Sequence, residues 1–269
     1  MARDIRTVAI LSGSKGSSNM NILLTGHRGF IGSTLLKALE LNHTVTGVDL
    51  QDGVDLMTCD FQENFDLVIH LAGRSGVRES LKDPSAYWMN NVEASRRLFE
   101  RYKDTRILYA SSSSAYEPDL NPYAASKYIL EELAARHANN VGMRFHTVYS
   151  DTPRKGMFFD KLFNGELEYV TRHHRDFVHL LDVIDAINIL IDATHVKGVL
   201  DIGSGVPVRI QDLAPDLPVR LNTPGEREYT CANIEKMKAL GFKPKYMVKN
   251  YLTKVAKGNI IKLNIGETV

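Results

Sequence analysis

Short apolar runs alternate with amphipathic stretches along most of the chain. Asn21-Ile-Leu-Leu24, Thr44-Val-Thr-Gly-Val48, Leu67-Val-Ile-His-Leu-Ala72, Ile107-Leu-Tyr-Ala110 and Val141-Gly-Met-Arg-Phe145 are brief and nearly free of charge. Runs of this kind read as strands buried on both faces of a parallel sheet. The intervening segments have helical spacing. Ser33 to Leu39 leaves the first strand as a helix, and Tyr87 to Lys103 follows Pro84 as another. Asn121-Pro122 opens a third that runs to about Arg136, with asparagine as N-cap and proline in the first helical position. Strand and helix in strict turn predict an α/β fold, a doubly wound parallel sheet.

Past Ser150 the regularity weakens. Met157 to Phe163 reads as a helix, Arg175 to His179 as a short strand, Asp182 to Asp192 as an amphipathic helix and Val199 to Gly203 as a strand. Pro207, Pro215, Pro218 and Pro224 punctuate a loop-rich stretch. Asn233 to Leu240 is a helix stopped by Gly241, with Pro244 just beyond. The expectation is a small C-terminal lobe over the carboxyl edge of the sheet, where open α/β sheets bind ligands. Residues 20–150 with about 177–202 would form the nucleotide domain, and 151–176 with 203–269 the lobe. Ser12-Gly-Ser-Lys-Gly-Ser-Ser-Asn19 is linker-like, so residues 1–19 are expected to be a leader or disordered tail, with a weak transit peptide as the alternative.

Charge and cysteine content narrow the class. A net charge of +1 over 269 residues offers no electrostatic case for nucleic acid or an anionic membrane. No apolar run approaches a membrane span. The two cysteines, Cys59 and Cys231, lie far apart and have no metal-ligand spacing, which suits a cytoplasmic protein with reduced thiols. His173-His174 lacks a third ligand nearby, so no metal is expected.

Thr25-Gly-His-Arg-Gly-Phe-Ile-Gly32 joins the first strand to the first helix. Glycine serves where a turn takes unusual backbone angles, where backbone meets a pyrophosphate, and where helix crosses strand closely. The helix start adds free N–H groups and partial positive charge. Asp49 ends the second apolar run, seventeen residues after Gly32. A carboxylate there accepts from a ribose 2′-OH and repels a 2′-phosphate.

Tyr123 and Lys127 are four apart on one predicted helix and share a face. Ser111-Ser-Ser-Ser114 ends the preceding strand. A phenol with a pKa near 10 is a poor base at neutral pH. A nearby ammonium and a cationic nicotinamide favour the phenolate. The tyrosine then takes a proton from a sugar hydroxyl as hydride leaves, and a serine holds the same oxygen.

With these residues in place, the chain resembles the extended short-chain dehydrogenase/reductase family, in its nucleotide-sugar epimerase/dehydratase branch. The likeness runs from about Asn21 to about Pro244. It rests on the glycine segment, Cys59-Asp-Phe61, His70-Leu-Ala-Gly73, Tyr109-Ala-Ser-Ser-Ser-Ser-Ala-Tyr116, Tyr123-Ala-Ala-Ser-Lys127, Arg144-Phe-His-Thr-Val-Tyr149, Arg175-Asp-Phe-Val-His179, Asn233-Ile-Glu-Lys236 and Leu240-Gly-Phe242. The resemblance implies a Rossmann-type sheet, NAD as cofactor, a UDP-sugar as substrate and a homodimer built on the helices around Tyr87–Lys103 and Pro122–Arg136. It makes Ser112 the catalytic serine, Tyr123 the base, and Lys127 its partner and a holder of the nicotinamide ribose. It gives the cofactor Gly26, Gly29, Phe30, Ile31, Gly32 and Asp49, then Asp60 and Phe61 around adenine. Leu71, Ala72 and Gly73 would pass the pyrophosphate, with Asn91 and Phe145 completing the cofactor set. It gives the substrate Ser112, Thr147 and Arg175, the last at the diphosphate. Arg220 or Arg227 is the candidate for a second diphosphate arginine, and Arg78 or Arg154 for a sugar carboxylate.

The same comparison narrows the reaction. The family's 4,6-dehydratases carry Asp-Glu after the catalytic serine or threonine, and its sugar-acid decarboxylases commonly a glutamate. Ser113-Ser114 is no carboxylate acid–base, which points to oxidation and reduction at one carbon, as in a 4-epimerase. A nucleotide-sugar reductase or dehydrogenase is the rival within enzymology. A catalytically silent dinucleotide binder is the rival outside it. Three departures stand out. Only six residues separate Tyr116 from Tyr123, Val208 to Glu228 is shortened, and Gly-His-Arg-Gly also occurs in GDP-fucose synthase-like enzymes that use NADPH.

Overall fold

The computed structural model describes residues 19–256. The expected leader therefore lies outside the described residues except for Asn19, whose side chain accepts the Thr44 amide at 3.1 Å. Six parallel strands form the main sheet in the order β2-β1-β3-β4-β5-β8. They are β1 (Asn21–Thr25), β2 (Thr44–Val48), β3 (Leu67–His70), β4 (Arg106–Ser112), β5 (Val141–Phe145) and β8 (Gly198–Ile202). The chain winds outward from β1 to β2, then returns to the other side of β1 for β3. The carboxyl ends of β1 and β3 are thus the switch point where such sheets bind ligands.

Alternation along the strands builds two apolar layers. Ile22, Leu24, Leu67, Ile69 and Met143 face one side. There they meet Leu35 and Leu39 of α1 (Gly32–Leu39) and Val183, Ile187 and Leu190 of the helix 180–192. Leu23, Val68, Ile107 and Tyr109 face the other side, against Leu98, Phe99, Leu130 and Ala134. Truncating one such residue to alanine typically costs about 2–5 kcal/mol.

Several boundaries move for identifiable reasons. β3 stops at His70 rather than Ala72 because its neighbour β1 ends at Thr25. Leu71 N then bonds the Thr25 carbonyl at 3.1 Å, and Ala72 N the Thr25 hydroxyl at 3.3 Å. After α2 (Val77–Lys82), the predicted 87–103 helix starts earlier, at α3 (Pro84–Tyr87), because Asp83 caps the Ala86 amide at 3.1 Å. It passes through a π-helical turn over Trp88–Glu93 and continues as α4 (Ala94–Arg101). α5 (Pro122–Ala134) begins as expected, with Asn121 capping Ala124 N at 2.8 Å.

The second body holds a three-stranded sheet of β6 (Thr147–Tyr149), β7 (His174–His179) and β9 (Pro207–Arg209), with α6 (Phe158–Phe163) against it. Tyr149, Phe159, Phe177, Val208 and Tyr251 form its core. The strands 147–149 and 207–209 were not predicted. At three residues each, they are too short to show a period. α7 (Leu180–Asp192) returns the chain to the main sheet.

Candidate active site

The glycine turn leaves no room for side chains. Gly26 has φ +74°, and a Cβ there would lie 2.6 Å from Ala72 N. A Cβ on Gly32 would lie 2.1 Å from the Gly26 carbonyl oxygen. α1 starts at Gly32 without a side-chain cap, so no side chain accepts from the free amides of its first turn as an N-cap. This turn forms one wall of a cleft of about 890 Å³, together with Gly29, Phe30, Ile31, Leu71 and Gly73. Close-packed backbone beside a bare helix start suits the pyrophosphate of a dinucleotide.

β4 delivers Ser111 and Ser112 to the carboxyl edge and breaks into a tight turn, Ser113–Tyr116. Ser112 caps that turn by accepting the Ser114 amide at 3.1 Å. Its hydroxyl also acts on the Tyr123 phenol, favouring the phenolate. Tyr123 and Lys127 stand one turn apart on α5, both toward the cleft. Lys127 is 5% exposed and donates to the Ala110 carbonyl at 2.7 Å. Burial pulls its ammonium down to about 8, while the Glu131 carboxylate opposes the shift. Burial pushes the Tyr123 phenol above its ordinary value, with the Ser112 bond and then the Arg154 guanidinium working against it. Among the protein's cations the Arg154 guanidinium also favours the phenolate, and burial outweighs it.

The opposite wall is cationic. Eight Lys/Arg side chains line the cleft against four glutamates. Arg78, Arg154, Arg175 and Arg227 are all there, with Thr147 and Phe145. Their partners were not legible in the sequence. Arg78 donates from Nε and Nη2 to Glu226 Oε1 at 3.0 and 2.9 Å. Arg175 Nη2 and His173 Nδ1 each lie 3.7 Å from Glu226 Oε2. Burial pulls the Arg175 guanidinium down, and Glu226 counters it. Arg227 bonds Glu117 at 2.6 Å and the Ser113 carbonyl at 2.7 Å. Arg154 Nη2 instead donates to the neutral Ser75 hydroxyl at 3.2 Å. Arg220 lies 3.9 Å over the Tyr169 ring.

Five expected cofactor residues stand off the cleft wall. Asp49 accepts the Arg28 and Gln51 amides at 3.1 and 3.0 Å, so it braces the glycine turn from outside. The Arg28 guanidinium turns to Asp52, as does His27 at 3.1 Å. Asp60 bonds Gln62, and Phe61 packs edge-on to Tyr102 at 5.7 Å between centroids. The Ala72 amide is taken by Thr25. Asn91 is buried on the π-helical turn. Its Oδ1 accepts Arg74 N at 2.7 Å, and its Nδ2 donates to Arg74 O and Ser126 Oγ at 3.0 Å each. It holds the Gly73–Arg74 loop in place from behind. Glu226 has no local signal, because only folding brings residue 226 to residues 78 and 173–175. Glu131 does have one: it lies four residues beyond Lys127 and eight beyond Tyr123, on the same helix face.

Cleft, glycine turn and Ser-Tyr-Lys set together define a dinucleotide-dependent enzyme, and comparison with known proteins agrees. The chain belongs to the NAD dependent epimerase/dehydratase family, whose model matches residues 22–203. It is similar to the UDP-glucuronic acid 4-epimerase of Bacillus cereus, solved with UDP-glucuronic acid and NAD. The two share 26% identity over 87% of this chain and 97% of that one, with a TM-score of 0.76. It is also similar to MoeE5, solved with UDP-glucuronic acid and NAD, at 28% identity over 87% and 96% of the two chains and a TM-score of 0.72. A third relative is the UDP-glucose epimerase YtcB of Bacillus subtilis, 27% identical over 87% of this chain and 96% of that protein. That alignment spans 303 positions, more than the 269 residues of this chain. The cofactor is NAD, as the family's description and the bound neighbours have it.

Proposed function

We propose that the protein is a UDP-sugar 4-epimerase, with an acidic sugar as its substrate. The observation that carries this is the meeting of Ser112, Tyr123 and Lys127 between the glycine turn and the arginine wall. In this reading Tyr123 takes the proton of the C4 hydroxyl while Ser112 holds that oxygen. NAD, held by the glycine turn and by Lys127 at its nicotinamide ribose, would supply the hydride acceptor and donor for C4. Tyr123 gives the proton back when the hydroxyl is re-formed. Ser113 and Ser114 place no carboxylate beside Ser112, so the C5 proton stays and the chemistry remains at one carbon.

Arg175, with Arg227 beside it, is assigned to the diphosphate, for which a guanidinium fork is suited. The sugar carboxylate goes to Arg154 rather than Arg78. Arg154 acts on Tyr123 and bonds a neutral hydroxyl, whereas Arg78 is engaged by Glu226. Residues 20–150 with about 177–202 serve the cofactor, and 151–176 with 203–256 the substrate. Trp88 and Met89, 46% and 43% exposed, and Tyr128 on α5 present an apolar face that a second copy of the chain would cover. Both cysteines are free, and no helix among the described residues is long and apolar enough to cross a membrane. We place the protein in the cytoplasm.

The test is to supply UDP-glucuronate and, separately, UDP-glucose, and to follow the C4 epimers by chromatography with absorbance at the NADH band. Epimers without net NADH, with UDP-glucuronate the better substrate, are expected. Accumulating NADH makes the protein a dehydrogenase. Failure on all nucleotide sugars makes it a dinucleotide binder. Arg154→Met should remove the preference for the acidic sugar.

A further inference from the structure

Tyr123, Lys127 and Glu131 follow one another at intervals of four along α5, so they form one stripe facing β4. Glu131 is 6% exposed, and its carboxylate is fully engaged. Oε1 accepts Ser111 Oγ at 2.5 Å and Arg144 Nε at 2.8 Å, and Oε2 accepts Arg144 Nη2 at 2.5 Å. Ser111 immediately precedes Ser112. Arg144 immediately precedes Phe145, which lines the cleft, and Thr147 follows two residues later. The Arg144 guanidinium lies 4.1 Å over the ring of Tyr116, the last residue of the turn that Ser112 caps. The Tyr116 hydroxyl is in turn anchored on Asp201, 3.0 Å from both carboxylate oxygens.

We propose that Glu131 is a positioning residue of the reaction, tying Ser112, the Tyr123–Lys127 helix face and the Phe145–Thr147 segment into one geometry. It touches neither substrate nor cofactor and acts through Ser111, Lys127 and Arg144. A single carboxylate between α5, β4 and β5 fixes their register where a shift of about 1 Å can cost roughly a hundredfold in rate. Its second effect is electrostatic. The charged and titratable groups around Lys127 are Tyr123 and Glu131 on its own helix and His70 on β3, and burial pushes the Tyr123 phenol up, so it stays neutral. His70 is buried and driven down to about 3, so it stays neutral. Glu131 is therefore the anion that keeps the Lys127 ammonium charged.

The positioning role rests on the epimerase reading, but the electrostatic role can be tested without it. Glu131→Gln alone strands the Arg144 charge and threatens the fold. The working variants are therefore Glu131→Gln/Arg144→Met, which removes both charges, and Ser111→Ala, which removes one bond and leaves the ion pair. Carbon-13 NMR of lysine-labelled protein, with Lys127→Met assigning the signal, reads the Lys127 midpoint directly. The double variant should move it down by about one pH unit or more, while Ser111→Ala leaves it in place. In turnover, Ser111→Ala should lower kcat by roughly tenfold with KM for the nucleotide sugar unchanged, and the double variant should bring the alkaline limb of kcat down with the Lys127 midpoint. A folded double variant with an unmoved Lys127 midpoint overturns the electrostatic role, and full kcat in both variants overturns the positioning role. If wild type turns over no nucleotide sugar, the epimerase reading fails, and the NMR result alone still decides for or against Glu131 as the anion sustaining Lys127.

Discussion

The two walls of the cleft are built by different means. On the glycine side, recognition is made of backbone: a turn so tight that a methyl group at Gly26 would overlap the main chain of Leu71–Ala72, and one at Gly32 the main chain of the turn itself. On the arginine side, it is made of long side chains already engaged by carboxylates, Arg78 and Arg175 with Glu226, and Arg227 with Glu117. Backbone is specified by sterics and tolerates almost no change. Ion pairs exchange partners, so the second wall can trade its own glutamates for a ligand's phosphates. In the proposed epimerase reading, a rigid cofactor half and an adaptable substrate half would suit a sugar that has to reorient beside its cofactor.

The largest expected effect lies between the walls. Tyr123→Phe removes the phenol oxygen and little volume, so melting temperature and NAD binding should be retained while turnover falls by roughly 10²–10⁴. Full activity on a nucleotide sugar would refute the assignment. Next is the steric claim. Gly32→Ala places a methyl 2.1 Å from the Gly26 carbonyl oxygen, and NAD affinity by calorimetry should drop by about a hundredfold or more, with a lower melting temperature. An affinity within threefold of wild type would erase the contrast between the walls.

Third is pH. Lys127 loses its proton near 8, below the usual lysine value, and the positive charge is wanted beside the phenol. Activity should therefore fall as pH rises through about 8, by up to about tenfold per unit, read from a kcat–pH profile. A flat profile to pH 10 removes the charged lysine from the mechanism. Fourth is the outer brace of the glycine wall. Asp49 should make NAD bind at least about tenfold tighter than NADP, about 1.4 kcal/mol, and Asp49→Ala should narrow that gap. Competition binding with NADP equal or better would count against it. The smallest effect probes the exchange of partners. Glu226→Gln removes the resident carboxylate, so free UDP should bind severalfold tighter while the melting temperature drops, because half-buried Arg175 loses its counter-ion. Unchanged UDP affinity would make the arginine wall as fixed as the glycine wall.

Legibility follows the same division. The strands of the main sheet could be read because burial on both faces demands continuous apolar runs, and α5 could be read from Asn121-Pro122. The π-helical turn at Trp88–Glu93 could not, because it adds one residue to a helix without altering its apolar stripe. The lobe's two three-residue strands left no pattern. In the site, Gly26, Gly32, Ser112, Tyr123 and Lys127 were visible as local motifs, each within a single strand–turn–helix unit. Their electrostatic partners were not. Arg154 reaches Tyr123 across thirty-one residues, and Glu226 reaches Arg78 across one hundred and forty-eight.

By itself, then, the sequence determined whatever depends on neighbours along the chain: the alternation that makes a parallel sheet, the glycines that only a crowded turn requires, and the one-turn spacing that puts Tyr123, Lys127 and Glu131 on one face. Tertiary structure decided which charges meet. It turned Lys127 to the Ala110 carbonyl, brought Arg154 into the cleft that Tyr123 lines, drew Asn91 behind the Gly73–Arg74 loop and put Glu226 among the arginines. The physical reason is range. Steric and hydrogen-bonding rules of the backbone act over a few residues, whereas a Coulomb interaction depends on distance and burial in space, which the chain acquires only when it folds.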